Sequence, residues 1–200
     1  MALKAGFHDV PLGMVAAVVT HLEMRAPAEP RPVPAPEGVS LRRVAAPAPG
    51  WYRDLFTRVG GQDWLWFSRL GLDATALSAI LSDPGIEVWA LEKDGRAEGL
   101  LELDFRDAGE CELAFFGVTP TLIGAGAGRF MMNAAIEKAW ARPITRFHVH
   151  TCTLDHPGAL GFYRRSGFTP IRQQVEIAPD PRLNGDLPRE AGPHIPIFEG

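Results

Sequence analysis

A glycine-rich stretch between a strand-like segment and a helical pattern constrains this chain more than any other feature. Residues 110–118 have the apolar pattern of a buried strand, and residues 129–141 have helical spacing. Between them lie Gly124, Gly126 and Gly128. The first N–H groups of a helix lack internal partners, the helix dipole favours negative charge there, and glycine permits close approach. The stretch therefore predicts an anion site suited to a pyrophosphate-bearing cofactor.

The spacing of this loop excludes two other phosphate-binding motifs. A nucleotide-hydrolysing P-loop requires a Lys-Ser/Thr pair after its last glycine, and the loop supplies none. A dinucleotide fingerprint requires Gly-x-Gly-x-x-Gly, but the frames that start at Gly124 and Gly126 end at Arg129 and Met131. The motif that the loop does contain is Gly126-x-Gly128, and it follows a strand that ends at residues 116–118.

Composition indicates an ordinary globular protein. Two hundred residues suffice for one domain with extensions, and a net charge of −4 without a basic cluster gives no sign of a nucleic-acid partner. Cys111 and Cys152 lie in strand-like segments without CxxC spacing, so we expect buried thiols in a reducing compartment and no disulfide. We therefore expect a cytoplasmic protein that binds neither nucleic acid nor membrane.

Residues 1–38 are expected to precede the main domain as an extension. Leu12–Val19 is apolar and continues with strand-like alternation, which favours an extra edge strand. A signal peptide is the alternative, but the run is short and lacks a small-x-small cleavage site, and it is too short to span a membrane. Residues 26–38 contain alternate prolines and predict a semi-rigid connector.

Residues 39–178 are expected to form the main domain. The pattern gives a strand, two helices, a three-stranded meander, and then helix, strand, helix and strand. We expect Gly60-Gly61 to end the first helix, Asp73 to cap the second, and Asp94-Gly95 to form a hairpin turn. This order predicts a mixed α/β fold, with a mostly antiparallel sheet of about six to seven strands flanked by helices. Residues 179–200 are expected to be an irregular, proline-rich tail.

In element order and motifs the chain resembles the GNAT superfamily of N-acetyltransferases. The family signature Gln/Arg-x-x-Gly-x-Gly/Ala corresponds to residues 123–128, with Ile123 where the family usually has Arg or Gln. A family helix that ends in Tyr-x-x-x-Gly-Phe corresponds to residues 163–168. The resemblance covers about residues 39–177. It implies the GNAT fold, acetyl-CoA as cofactor and N-acetyltransferase activity.

The resemblance also implies which residues bind the cofactor. They are Phe116, Gly117, Val118, Ile123, Gly124, Ala125, Gly126, Ala127, Gly128, Arg129, Asp155 and Tyr163. Asp155 stands where relatives often carry asparagine, and capping the following helix is its alternative role. For the phosphates, Arg129 is better placed in the sequence than Arg164 or Arg165.

Acetyl transfer to an amine needs a base for the amine, a donor for the developing oxyanion and an acid for the leaving thiolate. Glu112 matches the catalytic glutamate of the histone-acetyltransferase branch, and we expect burial to raise its pKa. The alternative to this catalytic role is that the Glu112 side chain points to solvent. Tyr163 is the acid implied by the family pattern, or else it packs and contacts the cofactor. A backbone N–H near Gly117 or Val118 would serve the oxyanion. Gly117 also predicts a bulge or close approach that splays its strand from residues 145–152.

For the acceptor side the candidates are Trp64, Trp66 and His150. Clustered tryptophans are more often core or subunit contacts, and a histidine on a strand is more often structural. His148 and His150 share a strand face, but no third ligand stands at a suitable spacing, so no metal site is predicted. No Cys/His/Asp constellation in the sequence supports a role for Cys152 as an acyl-carrying nucleophile.

The expected acceptor is the primary amine of a small molecule, an expectation that rests on fold analogy. A protein or peptide amine is one alternative. A non-catalytic CoA-binding regulatory module, which needs the cradle without the acid and the base, is another. A second copy of the chain is a further candidate partner, as a homodimer.

Overall fold

In this computed structural model, which describes residues 3–199, a single open sheet of seven strands runs through the protein. The strands are β1 Met14–Met24, β2 Val39–Val44, β3 Ile86–Lys93, β4 Arg96–Asp104, β5 Glu110–Val118, β6 Arg146–Cys152 and β7 Thr169–Pro179. Their order across the sheet is β2-β3-β4-β5-β6-β1-β7. Only β5 and β6 pair in parallel, and all other neighbours are antiparallel. The predicted mixed, mostly antiparallel sheet is confirmed.

Helices cover both faces of this sheet. They are α1 Pro49–Phe56, α2 Gln62–Trp64, α3 Ala74–Leu81, α4 Ala127–Trp140 and α5 Ala159–Arg165. One apolar core lies between the sheet and the α4–α5 side, and a second lies between the sheet and the α1–α3 side. Asp73 caps α3 as expected, because its side chain accepts a hydrogen bond from the Ala76 N–H.

The N-terminal strand is present, but the prediction that it forms a sheet edge is wrong. β1 lies between β6 and β7 and pairs with both of them. Alternate residues Leu22 and Met24 enter the core beside α4, while Val15 and Ala17 pack under the C-terminal segment on the opposite face. A strand with apolar residues on both faces is typical of an interior position in a sheet. The sequence of β1 has this pattern, and it predicts the interior position better than an edge.

The glycine pair Gly60-Gly61 does not end the first helix, contrary to expectation. The chain continues from α1 through a π-helical turn at Thr57–Gly61 directly into α2. Gly60 is needed for packing, because a Cβ there would lie 2.0 Å from the Trp66 ring. The helix ends instead at Leu65, whose backbone is left-handed at φ 53°.

β5 and β6 separate along their length. They pair only where residues 110–112 meet residues 146–148, and the later halves of the two strands diverge. The β4–β5 register shifts so that Ala114 is the extra residue, and the bulge therefore lies at Ala114 and not at Gly117. At Gly117 the close approach is real, since a Cβ there would lie 2.6 Å from Val59 Cγ1. The predicted splay is present and opens a gap in the middle of the sheet.

The C-terminal segment is irregular in secondary structure but packed. Leu187 and Ala191 bury against Val15 and Leu65. The Arg182 guanidinium is buried, pairs with Asp180, and donates to the carbonyls of Ala191, Gly192 and Ile195. This arrangement holds the segment against the face of the sheet that carries α1 and α3.

Candidate active site

The gap between β5 and β6 leads into a cavity of about 350 Å³. Its walls come from the end of β5, the loop before α4, the first turn of α5 and the π-helical turn. The lining residues are Val59, Trp64, Trp66, Phe116, Gly117, Val118, Leu122, Ile123, Gly124, Gly126, Gly128, Asp155, His156, Gly158, Ala159, Phe162, Tyr163 and Arg165.

The glycine-rich loop forms the rim of this cavity. Gly124 and Gly126 have left-handed backbones at φ 83° and 80°, which non-glycine residues rarely adopt. α4 begins at Ala127 with Gly126 as N-cap. Its first hydrogen bond runs from the Phe130 N–H to the Gly126 carbonyl. The N–H groups of residues 127–129 therefore have no helical acceptor. The loop thus presents unpaired donors and the positive end of a 14-residue helix.

Most of the residues expected to bind the cofactor line this cavity. They are Phe116, Gly117, Val118, Ile123, Gly124, Gly126, Gly128, Asp155 and Tyr163. Ala125, Ala127 and Arg129 do not line it. The Arg129 side chain turns to Ser166 Oγ at 3.1 Å and lies over the Phe162 ring. Arg165, which sequence reasoning ranked below Arg129, lines the cavity instead.

A second cleft of about 140 Å³ opens on the α1–α3 side of the same gap. Aromatic side chains dominate its walls, with His150 and Glu176 among its polar residues. The two spaces share five side chains, which are Trp64, Trp66, Phe116, Asp155 and Tyr163. A group in the cavity and a group in the cleft would therefore meet at these residues.

Asp155 joins the segment after α2 to the end of β6 at this meeting point. Its carboxylate accepts hydrogen bonds from Trp66 Nε1 at 3.0 Å, Thr151 Oγ1 at 2.7 Å and the Cys152 N–H at 2.8 Å. The alternative role as a helix cap is wrong, because α5 has Gly158 as its N-cap and no side-chain cap. Asp155 fixes the Trp66 indole against the end of β6.

The Glu112 carboxylate lies behind His150 as seen from the cleft. His150 Nδ1 is 3.2 Å from Glu112 Oε1, and only His150 is among the residues that line the cleft. The expectation that burial raises the pKa of Glu112 is wrong: the hydrogen bond from His150 outweighs burial and lowers the pKa of this carboxyl. The same hydrogen bond raises the pKa of His150 above its usual 6.5.

Tyr163 stands where the cavity and the cleft meet. Its ring packs against Phe116, Phe162 and Phe168. Burial raises the pKa of its phenol, and the carboxylate of Asp155 adds to the rise. No side chain or backbone group in residues 3–199 hydrogen-bonds its hydroxyl, which is therefore available to a group in either space.

The other reactive side chains carry little chemistry. Cys111 and Cys152 are free thiols, and burial raises the pKa of Cys152 to about 11, so it is protonated at neutral pH. Among the described residues, no group of three or more His, Cys, Asp or Glu side chains could hold a metal ion. Nor is any helix in that part of the chain both long and apolar enough to cross a membrane.

Sequence reasoning missed several residues of the site. Glu176 reaches the cleft from β7 only because β7 pairs with β1, a long-range pairing that no local pattern reveals. His156 and His194 pack edge-on to the Trp64 ring, and His194 belongs to the C-terminal segment. Phe162 had a usable signal, because it is three residues after Ala159 on the same helix face.

The Acetyltransferase (GNAT) family model matches residues 50–168. Among curated protein sequences, none matches this chain significantly. A GCN5-related N-acetyltransferase from Sphaerobacter thermophilus has a similar structure, with a TM-score of 0.62, 16% identity and an alignment that covers 82% of this chain and 51% of that one. This chain thus spans about half the length of that protein.

Two further solved structures share the fold. A GNAT-family protein from Novosphingobium aromaticivorans has a TM-score of 0.56 and 16% identity, covering 84% of this chain and 67% of that chain. An aminoglycoside acetyltransferase from an uncultured soil metagenomic sample, solved with trehalose, has a TM-score of 0.54 and 17% identity, covering 70% and 93%. The family match spans more than half of the sequence and includes both the glycine loop and α5. The chain is a member of the GNAT acetyltransferase family.

Proposed function

We propose that this protein is an acetyl-CoA-dependent N-acetyltransferase that acts on the primary amine of a small molecule. The observation that carries the proposal is the pair of spaces that meet at Trp64, Trp66, Phe116, Asp155 and Tyr163. One space has a helix N-terminus and a glycine loop, and the other has aromatic and acidic walls. A thioester in the first and an amine in the second would come together in the splayed part of the sheet.

The cavity has the features that a pyrophosphate requires. A Cβ at Gly124 or Gly126 would meet nothing within 4 Å, so the space beside the loop is open. The N–H groups of residues 127–129 and the dipole of α4 would hold phosphate oxygens, with the Arg165 guanidinium nearby. Bound there, acetyl-CoA would supply an activated acetyl group. The separation of β5 from β6 leaves the outward-pointing backbone groups of Phe116 and Val118 available to its pantetheine arm.

His150 and Glu112 are proposed to remove the proton from the amine. The lining position of His150 supports its direct contact with the acceptor, and its 3.2 Å contact with Glu112 supports a positioning role for the carboxylate. The carboxylate orients the ring and stabilises the imidazolium that forms when Nε2 takes the proton.

Tyr163 is proposed to return a proton to the departing sulfur. Its hydroxyl is free of partners among the described residues and borders both spaces. Burial raises the pKa of the phenol, which therefore stays protonated until the sulfur demands the proton. The Thr119 N–H donates to the Glu98 carbonyl, so by alternation the Gly117 N–H faces β4 and the Val118 N–H faces the gap. The Val118 N–H, and not that of Gly117, would therefore donate to the developing oxyanion.

The acceptor is proposed to be a small cationic amine. A cleft of about 140 Å³ suits a compact group better than a folded protein surface. The Trp64 and Trp66 rings favour an ammonium by cation–π attraction, and the Asp155 carboxylate adds negative charge. One structural neighbour is an aminoglycoside acetyltransferase, a protein whose name states an aminoglycoside acceptor.

Thiol release from acetyl-CoA tests this function directly. The purified chain would be given a panel of small mono- and polyamines and, in parallel, peptides with free N-termini or lysines. We expect turnover with at least one small amine and none with the peptides. Turnover on peptides alone would identify a protein-modifying enzyme, and cofactor binding without turnover on any amine would identify a regulatory module; both results contradict the proposal.

A further inference from the structure

The last strand, β7, has a long free edge. It is 11 residues long, pairs only with β1 in the described sheet, and is exposed along nearly its whole length. Val175 and Ile177 are 47–48% exposed on one face of the sheet, and Ile171 is equally exposed. A long exposed edge with β-branched residues attracts another strand, and proteins usually shorten or block such edges. The opposite edge, β2, has only six residues.

The unpaired backbone groups of β7 belong to its odd-numbered residues. The Asp180 N–H donates to the Gly13 carbonyl at 2.9 Å, and on the other side of β1 the Thr153 N–H donates to the Val18 carbonyl at 3.1 Å. Both bonds fix the alternation, so the even residues of β7 from Arg172 onward face β1. At Ile171 the register with β1 shifts by one residue, so the regular free edge begins at Arg172. The N–H and C=O groups of residues 173, 175 and 177 therefore point away from the sheet.

The sequence of β7 is complementary to itself in antiparallel orientation. If a two-fold axis passes through Gln174, Arg172 lies opposite Glu176 and Gln173 lies opposite Val175 of the second strand. The odd residues then form the hydrogen-bonded pairs and the charged residues the non-hydrogen-bonded ones, as their backbone directions require. Moving the axis by one residue in either direction separates the opposite charges.

We propose that β7 is a homodimer interface, in which two copies of this chain pair their β7 strands antiparallel about Gln174. The pairing joins the two sheets into one and gives each free backbone group a partner. Two Arg172–Glu176 ion pairs form by symmetry, and the two Val175 side chains become diagonal neighbours on the opposite face, which covers exposed apolar surface. Because Glu176 also lines the acceptor cleft, Arg172 of the second copy comes to lie beside that cleft.

Charge exchange tests this interface and its register. We expect sedimentation velocity to give a dimer for the full chain across about 1–100 μM protein. Arg172→Glu and Glu176→Arg, each alone, replace two attractive pairs by two repulsive ones and are expected to weaken dimerisation by about tenfold or more. Mixing these two variants makes both cross-strand pairs opposite in sign again, and a heterodimer is expected to form.

A backbone variant provides a second test with its own control. Val175→Pro removes an outward N–H without touching the β1–β7 ladder, and it is expected to yield a folded monomer; Val175→Thr keeps that N–H and is expected to remain dimeric. Circular dichroism would establish that each variant is folded. A monomeric parent chain, a dimer unaffected by the charge or proline variants, or failure of the mixed charge variants to associate would each overturn the proposal.

Discussion

At the scale of the residue, the two tyrosines of the chain are a natural comparison. Both are buried, but the Tyr52 hydroxyl donates to the Glu102 carboxylate, whereas the Tyr163 hydroxyl borders the cavity and the cleft. Tyr163→Phe is expected to lower turnover by about 10²–10⁴-fold, the usual contribution of a general acid. Acetyl-CoA affinity and the free energy of unfolding should change little, since no bond within the chain is lost.

Tyr52→Phe is the matched control for that change. It removes a buried hydrogen bond and is expected to lower the free energy of unfolding by about 1–3 kcal/mol, with turnover of the folded enzyme unchanged. Thiol-release kinetics and urea unfolding measure the two effects. Full turnover in Tyr163→Phe would show that the phenol only packs against its aromatic neighbours.

A second prediction at this scale concerns the pH dependence of turnover. The imidazole of His150 accepts a proton only when it is neutral, so the rate should fall as pH falls through the raised pKa of His150. Glu112→Gln removes the main cause of that rise while burial, which lowers the pKa, remains. The acidic limb of the pH–rate profile is therefore expected to move to lower pH.

Glu110→Gln is the control for this experiment. Glu110 lies two residues earlier on the same strand and contacts Arg146 and His148, not His150. Its removal is expected to leave the limb in place. If Glu112 itself were the base, the limb would lie below the usual pKa of a carboxyl group, and Glu112→Gln would abolish turnover at every pH.

At the scale of the element, the π-helical turn connects helix geometry to the site. Gly60 lets the Trp66 ring lie against the backbone, where Trp66 lines both spaces. Gly60→Ala would place a Cβ 2.0 Å from that ring. We expect the free energy of unfolding to fall by about 1–3 kcal/mol through overpacking, with a loss of turnover as the indole moves.

Gly61→Ala separates packing from helix propensity. Its Cβ would lie 3.1 Å from Leu187 Cδ2, a flexible side-chain end, so the neighbour needs to yield only slightly. Its effect on the free energy of unfolding is expected to stay within about 1 kcal/mol, because the gain in helix propensity offsets the tighter contact. Equal behaviour of the two variants in unfolding and turnover assays would refute the role given to Gly60.

Local patterns in the sequence were sufficient to predict most helices and strands, but not the continuation of the first helix through Gly60-Gly61 or the pairing of distant strands. The Asp73 cap and the glycine loop before α4 depend on neighbouring residues, and both are present. The interior place of β1 depends on partners more than 120 residues away in β6 and β7. The direction of the shift in the Glu112 pKa likewise depends on His150, a residue of another strand, because its hydrogen bond outweighs the effect of burial.

At the scale of the whole molecule, the C-terminal segment is predicted to be a stable part of the fold. Arg182 is 5% exposed and joins Asp180 to four carbonyl groups of the segment. Arg182→Met leaves a buried carboxylate and these carbonyls without their partner. We expect a loss of about 3–5 kcal/mol in the free energy of unfolding, as for other broken buried pairs.

The matched control is Arg189→Met, which removes an exposed ion pair with Glu199 in the same segment. Solvent screens such a pair, so the urea midpoint is expected to stay unchanged. Tryptophan fluorescence would report the release of the segment from Trp64, which packs on His194. Equal midpoints for Arg182→Met and the parent chain would show that the segment adds nothing to stability.

The glycine-loop cavity is expected to bind acetyl-CoA, and calorimetric titration of the purified chain measures that binding. NAD serves as the control ligand, because the loop lacks the spacing of a dinucleotide fingerprint. We predict binding of acetyl-CoA with a dissociation constant of about 1–100 μM and no heat with NAD. No binding of acetyl-CoA, or binding of NAD in its place, would contradict the account.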